Sequence, residues 1–328
     1  MNVVNQIIEL AVGPWTAWIV LAAIACAGYA LVEFIDEHLI SKTGHTEKGS
    51  SDTVGVLVLV SGLFGIIISI AILTFVVLFN VTTVFVDLDF LRLSKAVSAG
   101  ALETLWMIPY LYALKRVGAI GAGPLFQLVP VLSLIIGFLF FQEYPPIIHI
   151  FGCAIIVGGG VLLNYRIEKK NFDLVAILQM SLSSILISLG YFIFKDSALE
   201  GNFFESVFWG GIGMTIAAIS IWCLWKPYRV QLERFLDTSS PKMWSLQLCN
   251  ECINAIALFA TNKANILAPS VMISTAFHAP HPLFILFFGW VLAARGSHKH
   301  KSVFMKKEGL KSTIAILIIV TGAVVTAL

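Results

Sequence analysis

Apolar residues fill long runs of the chain, and short polar stretches separate these runs. The hydrocarbon core of a bilayer is about 30 Å thick, so a helix that crosses it needs roughly 20 apolar residues. Ten runs meet this length, which predicts an all-α integral membrane protein with ten transmembrane helices. The predicted spans are residues 15–35, 54–79, 97–114, 118–141, 147–165, 173–194, 203–225, 243–262, 268–293 and 310–328.

The polar stretches between these spans have the lengths of loops, so no soluble domain is expected. The longest are residues 36–53, 80–96, 226–242 and 295–309. Of the 328 residues, 58% are hydrophobic and 12% are charged, whereas soluble chains average about 25% charged residues. The formal net charge of +2 gives no reason to expect a nucleic acid as a partner. The expected partners are the lipid bilayer and a small-molecule substrate.

Two distant segments share one pattern. Residues 130–143 read PVLSLIIGFLFFQE and residues 282–295 read PLFILFFGWVLAAR, with Pro and Gly at matching places. Gly28-Tyr29 in the first predicted span likewise recurs as Gly190-Tyr191 in the sixth. An internal repeat of this length has to be recognised before a fold is assigned.

The repeat divides the chain into residues 1–170 and residues 171–328, each with five predicted spans. Because five is odd, the second half must enter the membrane inverted relative to the first. Inverted repeats are typical of secondary transporters, whose substrate sites lie near the midplane where the halves meet. Access to such a site alternates as one half moves against the other.

The first half also resembles a known family. The residues concerned are Ala113-Leu114-Lys115, the small-residue run 118–123, Pro130-Val131, Gly137 and Glu143. Their spacing resembles that of the EamA-like group of the drug/metabolite transporter superfamily. The resemblance implies a fold of ten helices and a secondary transporter for a small metabolite. In the second half, Arg295 stands where the family usually has Glu.

Most of the 21 Lys and Arg residues follow odd-numbered predicted spans. Cytoplasmic loops carry the excess of positive charge, so this distribution predicts that both termini lie outside a cell (inner) membrane. The family resemblance would place both termini inside. Cysteine labelling at Ser297 distinguishes the two orientations.

Two carboxylates fall inside predicted spans, where an ionisable group is costly and functional by default. Glu103 lies in the third span and Glu251 in the eighth, and the repeat aligns them within about one residue. Trp106 and Tyr110 share a helical face with Glu103. Polar residues accompany Glu251, namely Gln247, Asn250 and Asn254. The alternative is that each Glu only joins helices through hydrogen bonds.

We expect both carboxylates to reach one shared cavity and to exchange a proton for a cation. Aromatic faces at Trp106 and Tyr110, with Trp209 as a further candidate, would attract a substituted ammonium. The sequence therefore predicts a proton-coupled carrier of a small cationic or zwitterionic amine. Glu103→Gln and Glu251→Gln should each abolish coupled transport while preserving expression.

The end of the first predicted span is acidic, with Glu33, Asp36 and Glu37 on one side of a helix. One interpretation is an interfacial cluster whose charged ends reach towards water. The alternative is a gate, in which Glu33 or Asp36 pairs with a Lys in one state only. Lys195 is the candidate partner for such a gate.

The ninth predicted span begins HAPHP, with His278 and His281 three residues apart. Two prolines and this spacing do not suit a metal site, which in metalloproteases has His at i and i+4. We expect the prolines to interrupt the helix, and one His to line the cavity or relay protons. Gln127 is a similar polar candidate. Tyr29 and Tyr191 would border the cavity or pack against it.

Two other functions remain open. A flippase or flippase subunit for a lipid-linked headgroup would need a cationic groove, and the spans offer only Lys195 and Lys263 near their ends. An intramembrane enzyme is a distant third, because the chain lacks HExxH, GxSxG and paired-Asp motifs. No cofactor or metal is expected. The predicted oligomeric state is a monomer or a homodimer.

Overall fold

A computed structural model describes residues 17–43, 53–80, 89–144, 146–167, 173–277, 281–294 and 309–327. Within these ranges the chain is α-helical, with one 3-10 turn and no strand. The helices are α1 Ala17–Thr43, α2 Val54–Phe79, α3 Phe90–Leu105, α4 Met107–Ala122, α5 Leu128–Phe140, α6 Ile147–Ile167, α7 Leu174–Glu200, α8 Phe203–Leu224, α9 Lys226–Thr238, α10 Pro241–Leu267, α11 Val271–Ala276, α12 His281–Ala294 and α13 Gly309–Ala327.

Several helices are long and apolar enough to cross a bilayer. Among the described residues, five segments have this length and composition, or six when one bent pair is counted as a single span. The bent pair is Phe90–Ala122 with Leu125–Phe140, whose axes meet at 96°. The chain is therefore an all-α, multi-pass membrane protein. The other segments are Ala17–Ser41, Val54–Phe79, Leu174–Glu200, Phe203–Leu224 and Val271–Leu292.

Gly118 forms a kink inside α4. Its φ of 70° lies in the left-handed region, where a residue with a Cβ is strained. An added Cβ would also meet the carboxylate of Glu37 at 2.9 Å. Lys115 and Arg116 lie just before this turn, as the predicted short connection between the third and fourth spans requires.

The prediction of a loop over residues 80–96 is wrong from Phe90 onwards, because α3 begins there. The side chain of Asp89 accepts a hydrogen bond from the backbone N–H of Leu91 at 2.9 Å. This capping bond satisfies a backbone donor that the first turn of a helix leaves unpaired. Charged residues then continue the helix as part of ion pairs, which a count of apolar residues cannot anticipate.

The predicted loop at 226–242 is also wrong, since most of it forms α9. Tyr228 and Phe235 are buried, and their spacing of seven residues places them on one face of a helix. The side chain of Gln231 accepts a hydrogen bond from the backbone N–H of Gly55 at 2.8 Å. This short amphipathic helix packs against the start of α2.

Glycines bring three helices into close contact. Gly65 of α2 lies against the backbone of Gly211 of α8, and a Cβ added at Gly65 would overlap the carbonyl oxygen of Gly211. Gly100 of α3 meets Gly210 of α8 in the same way. Small residues allow helix backbones to approach closely in a membrane, where packing drives association. The contacts join α2, α3 and α8 into one tightly packed region.

The other helices pack around this region and beside it. Helix α1 runs along α10, and α7 runs along α3, α4 and α5. Helices α6 and α13 form a separate pair, with Gly159 against Ile319. A space remains where α1, α4, α10 and α12 meet, and it contains most of the polar side chains predicted from the sequence.

Candidate functional site

The central cavity lies between α1, α4, α7, α10 and α12. Its wall combines aromatic rings with a few polar side chains, which is the usual composition of a small-molecule site. The described residues that line it are Tyr29, Val32, Asp36, Ser61, Trp106, Met107, Tyr110, Phe126, Val129, Ile187, Tyr191, Asn250, Asn254 and His281.

Asp36 supplies the carboxylate of this wall, and it is 1% exposed. One oxygen accepts a hydrogen bond from Nδ2 of Asn250 at 2.7 Å. The other accepts from the hydroxyl of Tyr110 at 3.2 Å. Two donors from two different helices therefore hold the carboxylate in place and satisfy part of its capacity to accept hydrogen bonds.

A row of aromatic rings lies beside Asp36. Tyr110 is 5.3 Å from the ring of Trp106 and 5.4 Å from the ring of Phe126. Phe126 in turn contacts His281, with ring centroids 5.2 Å apart. Aromatic faces attract cations, so a carboxylate flanked by several rings is suited to a positively charged group.

Tyr29 and Tyr191 line the opposite part of the cavity. The hydroxyl of Tyr29 accepts a hydrogen bond from Thr261 at 3.5 Å. The two tyrosines also hydrogen-bond to each other, and both interact electrostatically with Glu103. The tyrosines of the two repeated Gly-Tyr pairs therefore meet at this cavity.

Glu33 lies one turn before Asp36 on α1 and is also 1% exposed. Within the described part of the chain, neither of its carboxylate oxygens has a hydrogen-bond partner. Its Oε2 is 3.6 Å from Nε2 of His281, which is within ion-pair range but too long for a hydrogen bond. His281 is thus placed between the cavity and Glu33.

The interpretation of Glu33 and Asp36 as an interfacial cluster is wrong. Side chains that reach towards water keep their charged ends exposed, whereas both of these carboxylates are buried inside the bundle. Their burial follows from packing, because α1 is covered by α10 and α12 on the side that carries them. Glu37 is half-buried and lies beside the turn at Gly118.

Glu103 lies behind the wall of the central cavity. Its carboxylate accepts a hydrogen bond from the indole Nε1 of Trp106 at 2.5 Å. The same residue lines a second space, the glycine-lined cavity, together with Gly100, Gly190, Gly210, Gly211 and Asn262. Glu103 therefore separates two spaces and orients the ring of Trp106 towards the central one.

Glu251 is held more tightly, and it is 2% exposed. It accepts hydrogen bonds from the hydroxyl of Ser61 at 2.5 Å and from Nε2 of Gln247 at 2.6 Å. Asn254 also hydrogen-bonds to it. Since Ser61 and Asn254 line the central cavity, Glu251 orients two wall residues without reaching the cavity itself.

The expectation that Glu103 and Glu251 share one cavity is therefore wrong. Among the residues that line the central cavity, the described carboxylate is that of Asp36. The sequence aligned the two Glu residues in depth but carried no information on the rotation of their helices. Each Glu acts on the cavity through side chains that it hydrogen-bonds.

Lys195 does not pair with Glu33 or Asp36 in this structure. Its ammonium donates to the carbonyl oxygen of Ala268 at 3.3 Å and interacts electrostatically with Glu143. Burial raises the pKa of Glu143, while Lys195 and the backbone of Val271 and Met272 oppose this rise. The proposed gate between Lys195 and α1 therefore stays a prediction for another state.

Two further candidates lie away from the wall. Gln127 is 4% exposed at the end of the 3-10 turn Gly123–Gln127, and its neighbour Phe126 lines the cavity in its place. His278 lies outside the described residues. Trp209 on α8 is likewise absent from the described wall of the cavity.

Sequence reasoning missed several residues of the wall, Ser61 and Phe126 among them, and misplaced Asp36. Ser61 is a lone hydroxyl in an apolar helix, and its bond to Glu251 joins residues far apart in the chain. Phe126 is one of 24 phenylalanines, so nothing in the sequence singles it out. The best signal available was the acidic end of α1, where Asp36 was considered only for an interfacial cluster or a gate.

No protein-family model matches the chain, and no curated protein matches it. Among solved structures, the chain is similar to one described only as "Crystal structure of protein". The two share 17% sequence identity at a TM-score of 0.60, over 93% of this chain and 98% of the other. This similarity shows a shared fold and nothing about activity.

Proposed function

We propose that the protein is a secondary active transporter of a small organic amine, coupled to protons and working by alternating access. The observation that carries the proposal is the central cavity, where the buried carboxylate of Asp36 lies beside the rings of Trp106, Tyr110 and Phe126. The cavity lies inside a bundle of apolar helices, as a transporter site must.

The chemistry of the wall points to an ammonium group with an apolar body. Asp36 provides the counter-charge, and each ring face contributes about 0.5–2 kcal/mol to binding a cation. Asn250 and Asn254 add amide groups that fix the orientation of the ligand or bind a second polar group of the ligand. A zwitterionic amine remains within this class, since amide donors also bind a carboxylate.

The helix contacts support an arrangement of two inverted halves, residues 1–170 and residues 171–328. Contacts of α1 with α10 have a counterpart in those of α7 with α3 and α4. Contacts of α5 with α7 correspond to those of α12 with α1. The pairs α2–α8 and α6–α13 each join a helix to its own repeat partner. The ten transmembrane spans and their arrangement as inverted repeats are part of this proposal.

An interrupted helix supports the same proposal. The 3-10 turn Gly123–Gln127 precedes α5, just before the first of the two segments that share the Pro and Gly pattern. Discontinuous helices build substrate sites in transporters with inverted repeats.

The alternatives have less support. A flippase for a lipid-linked headgroup needs cations in its groove, and none of the described residues that line the central cavity is Lys or Arg. For an intramembrane enzyme, the sequence offers no catalytic motif. Placement in a cell (inner) membrane with both termini outside, and the monomeric or dimeric state, remain predictions from the sequence.

Thermal unfolding of the purified protein tests the substrate class. The probes are tryptamine, tryptophan, adenosine and glycerol 3-phosphate, each added over a range of concentrations. A ligand at about 100 times its Kd stabilises the folded state by about 2.7 kcal/mol. We expect tryptamine to raise the Tm of the wild type, and Asp36→Asn to abolish this rise.

Asp237→Asn is the matched control, because Asp237 is exposed on α9. It should leave the response to tryptamine unchanged. A rise in Tm with tryptamine that survives in Asp36→Asn would contradict the assignment of the site. Stabilisation by glycerol 3-phosphate alone would favour the flippase.

A further inference from the structure

Three acids lie on one side of α1 near the central cavity. Glu33, Asp36 and Glu37 are separated by three and four residues, which places them on one helical face. Glu33 interacts electrostatically with both of the others. Neighbouring carboxylates in a low dielectric do not all ionise together, so at least one member of the group holds a proton or faces a cation.

The surroundings of Glu33 and Asp36 differ although both are 1% exposed. Asp36 accepts hydrogen bonds from Asn250 and Tyr110, and these donors stabilise its ionised form. The described residues offer Glu33 no hydrogen-bond donor. A buried carboxylate without donors is costly to ionise unless a positive group lies beside it.

His281 is the group in that position. Its Nε2 lies 3.6 Å from Oε2 of Glu33, and its ring also lines the central cavity. The other titratable groups near this pair are Asp36 and Glu37 on α1 and Tyr110 on α4. From α10, Glu251 interacts with Asp36. None of the ion pairs of Glu33 within the described chain involves Lys or Arg.

We propose that Glu33 and His281 form the proton-binding site of the transporter, separate from the ammonium site at Asp36. This inference rests on the proposed function, and it moves the coupling role away from Glu103 and Glu251. A proton on Oε2 of Glu33 leaves the pair neutral. Transfer of this proton to Nε2 of His281 creates a carboxylate on Glu33 and an imidazolium on His281. Release of the proton from His281 then leaves an ionised Glu33 beside a neutral His281.

The two sites are linked because Glu33 and Asp36 interact through the same low-dielectric region. An ammonium bound at Asp36 favours an ionised Glu33 and therefore expels the proton. A proton bound at Glu33 removes that negative charge and weakens the binding of the ammonium. By reciprocity of linked equilibria, this arrangement exchanges a cation for a proton. Affinity for the amine therefore rises as pH rises.

Infrared spectroscopy of the ligand-free protein tests the proton site without knowledge of the substrate. A protonated carboxyl group has a C=O stretching band that disappears when the group ionises. We expect a pH-dependent band in the wild type that is lost in Glu33→Gln. In His281→Gln the band should persist with a displaced midpoint. Glu233→Gln, an exposed carboxyl on α9, is the matched control and should leave the band unchanged.

A second measurement uses vesicles that contain the protein and a pH-sensitive dye. Addition of tryptamine to the wild type should move protons, and Glu33→Gln should reduce this flux by about tenfold or more. At a pH low enough to protonate Glu33 in the wild type, the Kd of tryptamine in Glu33→Gln should lie within about threefold of the wild-type value, and it should not tighten as pH rises. Asp36→Asn should instead weaken binding by about tenfold or more, since it removes the charged partner.

The outcomes separate this inference from the proposed function. A titrating carboxyl band that remains unchanged in both Glu33→Gln and His281→Gln overturns the proton site, whatever the substrate. If no amine stabilises the wild type, the proposed function fails, and the infrared result still decides the proton site. Unchanged proton flux in folded Glu33→Gln vesicles would also overturn the inference. Circular dichroism and the Tm establish that each variant is folded.

Discussion

The region where α2, α3 and α8 meet differs sharply from the central cavity. Gly65 and Gly100 bring backbones together there, and an added Cβ would overlap a carbonyl oxygen at either position. Around the central cavity, large rings and polar side chains keep the helices apart. In the first region, glycines bring helix backbones into contact and also line the small glycine-lined cavity. In the second, large side chains surround the central cavity.

This difference suggests a division between a fixed part and a binding part. Close packing of helices has few ways to rearrange, so substitutions there should change the stability of the protein. Substitutions in the cavity wall should change ligand binding and leave most of the stability intact. Each of the following measurements would sharpen this division or break it.

The largest effect is expected at Gly100. Gly100→Val would force α3 away from Gly210, because an added side chain would overlap the backbone there. Overpacking costs typically about 1–3 kcal/mol and sometimes more, and contact with backbone places this position at the upper end. We expect a large fall in Tm and aggregation in size-exclusion chromatography.

Gly158→Val on α6 is the matched control. Nothing lies within 4 Å of a Cβ added at Gly158, so its Tm should stay close to that of the wild type. Equal Tm values for the two variants would remove the basis for calling the α3–α8 contact fixed.

Glu251→Gln should have the next largest effect on stability. Three donors converge on the carboxylate of Glu251, and a glutamine would turn an NH₂ group towards one of them. An unsatisfied buried polar group costs about 1–3 kcal/mol. Glu103 accepts a hydrogen bond from Trp106, so Glu103→Gln should lower the Tm less.

The same two variants, Glu103→Gln and Glu251→Gln, test which carboxylates couple proton movement to amine transport. If Glu33 binds the proton, both Gln variants should still move protons with tryptamine in the vesicle assay. Loss of proton flux in both, with normal flux in Glu33→Gln, would return the coupling role to Glu103 and Glu251, as the sequence suggested.

Glu205→Gln should have a smaller effect. Glu205 on α8 pairs with Arg92 on α3 at 3.2 Å, with side chains 9% and 12% exposed. The Tm should fall less than in Glu251→Gln, because the glutamine still offers an oxygen that can accept a hydrogen bond from the mostly buried Arg92. Lys95→Ala removes the more exposed ion pairs with Asp196 and Glu200 and should cost less than about 1 kcal/mol. A reversed order of the two Tm values would contradict this explanation.

The smallest effect is expected at the surface. Arg116 donates a hydrogen bond to Asp173 at 2.9 Å and, with the backbone of Ala176, lowers the pKa of Asp173. A lowered folded-state pKa contributes stability at neutral pH that is lost as pH falls through the titration of Asp173. Arg116→Ala should therefore lower the Tm slightly at neutral pH and not at strongly acidic pH. A Tm difference between Arg116→Ala and the wild type that grows on acidification would contradict this explanation.

Much of the fold was predictable because length and apolar character decide whether a helix can cross a membrane. The predicted second span, 54–79, coincides with α2. The errors fell where polar residues extend a helix, at Phe90, and where an amphipathic helix occupies a polar stretch, at α9. Ion pairs and local packing stabilise those helices, and a count of apolar residues does not include either.

The candidate site was predictable in its residue types but not in its arrangement. Trp106, Tyr110, Asn250 and His281 were expected near the cavity and line it. Glu103 and Glu251 were expected in its wall and lie behind it, while Asp36 was expected at a gate and lies in the wall. Each of these differences arises from the rotation of a helix about its own axis, which decides whether a given side chain points into the cavity.

The sequence alone determined that the chain forms apolar helices, that its segments repeat, and that a few acids enter the membrane. Tertiary structure alone decided which of these acids face the central cavity. In a soluble protein, polar residues mark the outer face of each helix. In a bilayer, both the lipid-facing and the packed faces are apolar, so the rotation of each helix is set by its contacts with neighbouring helices.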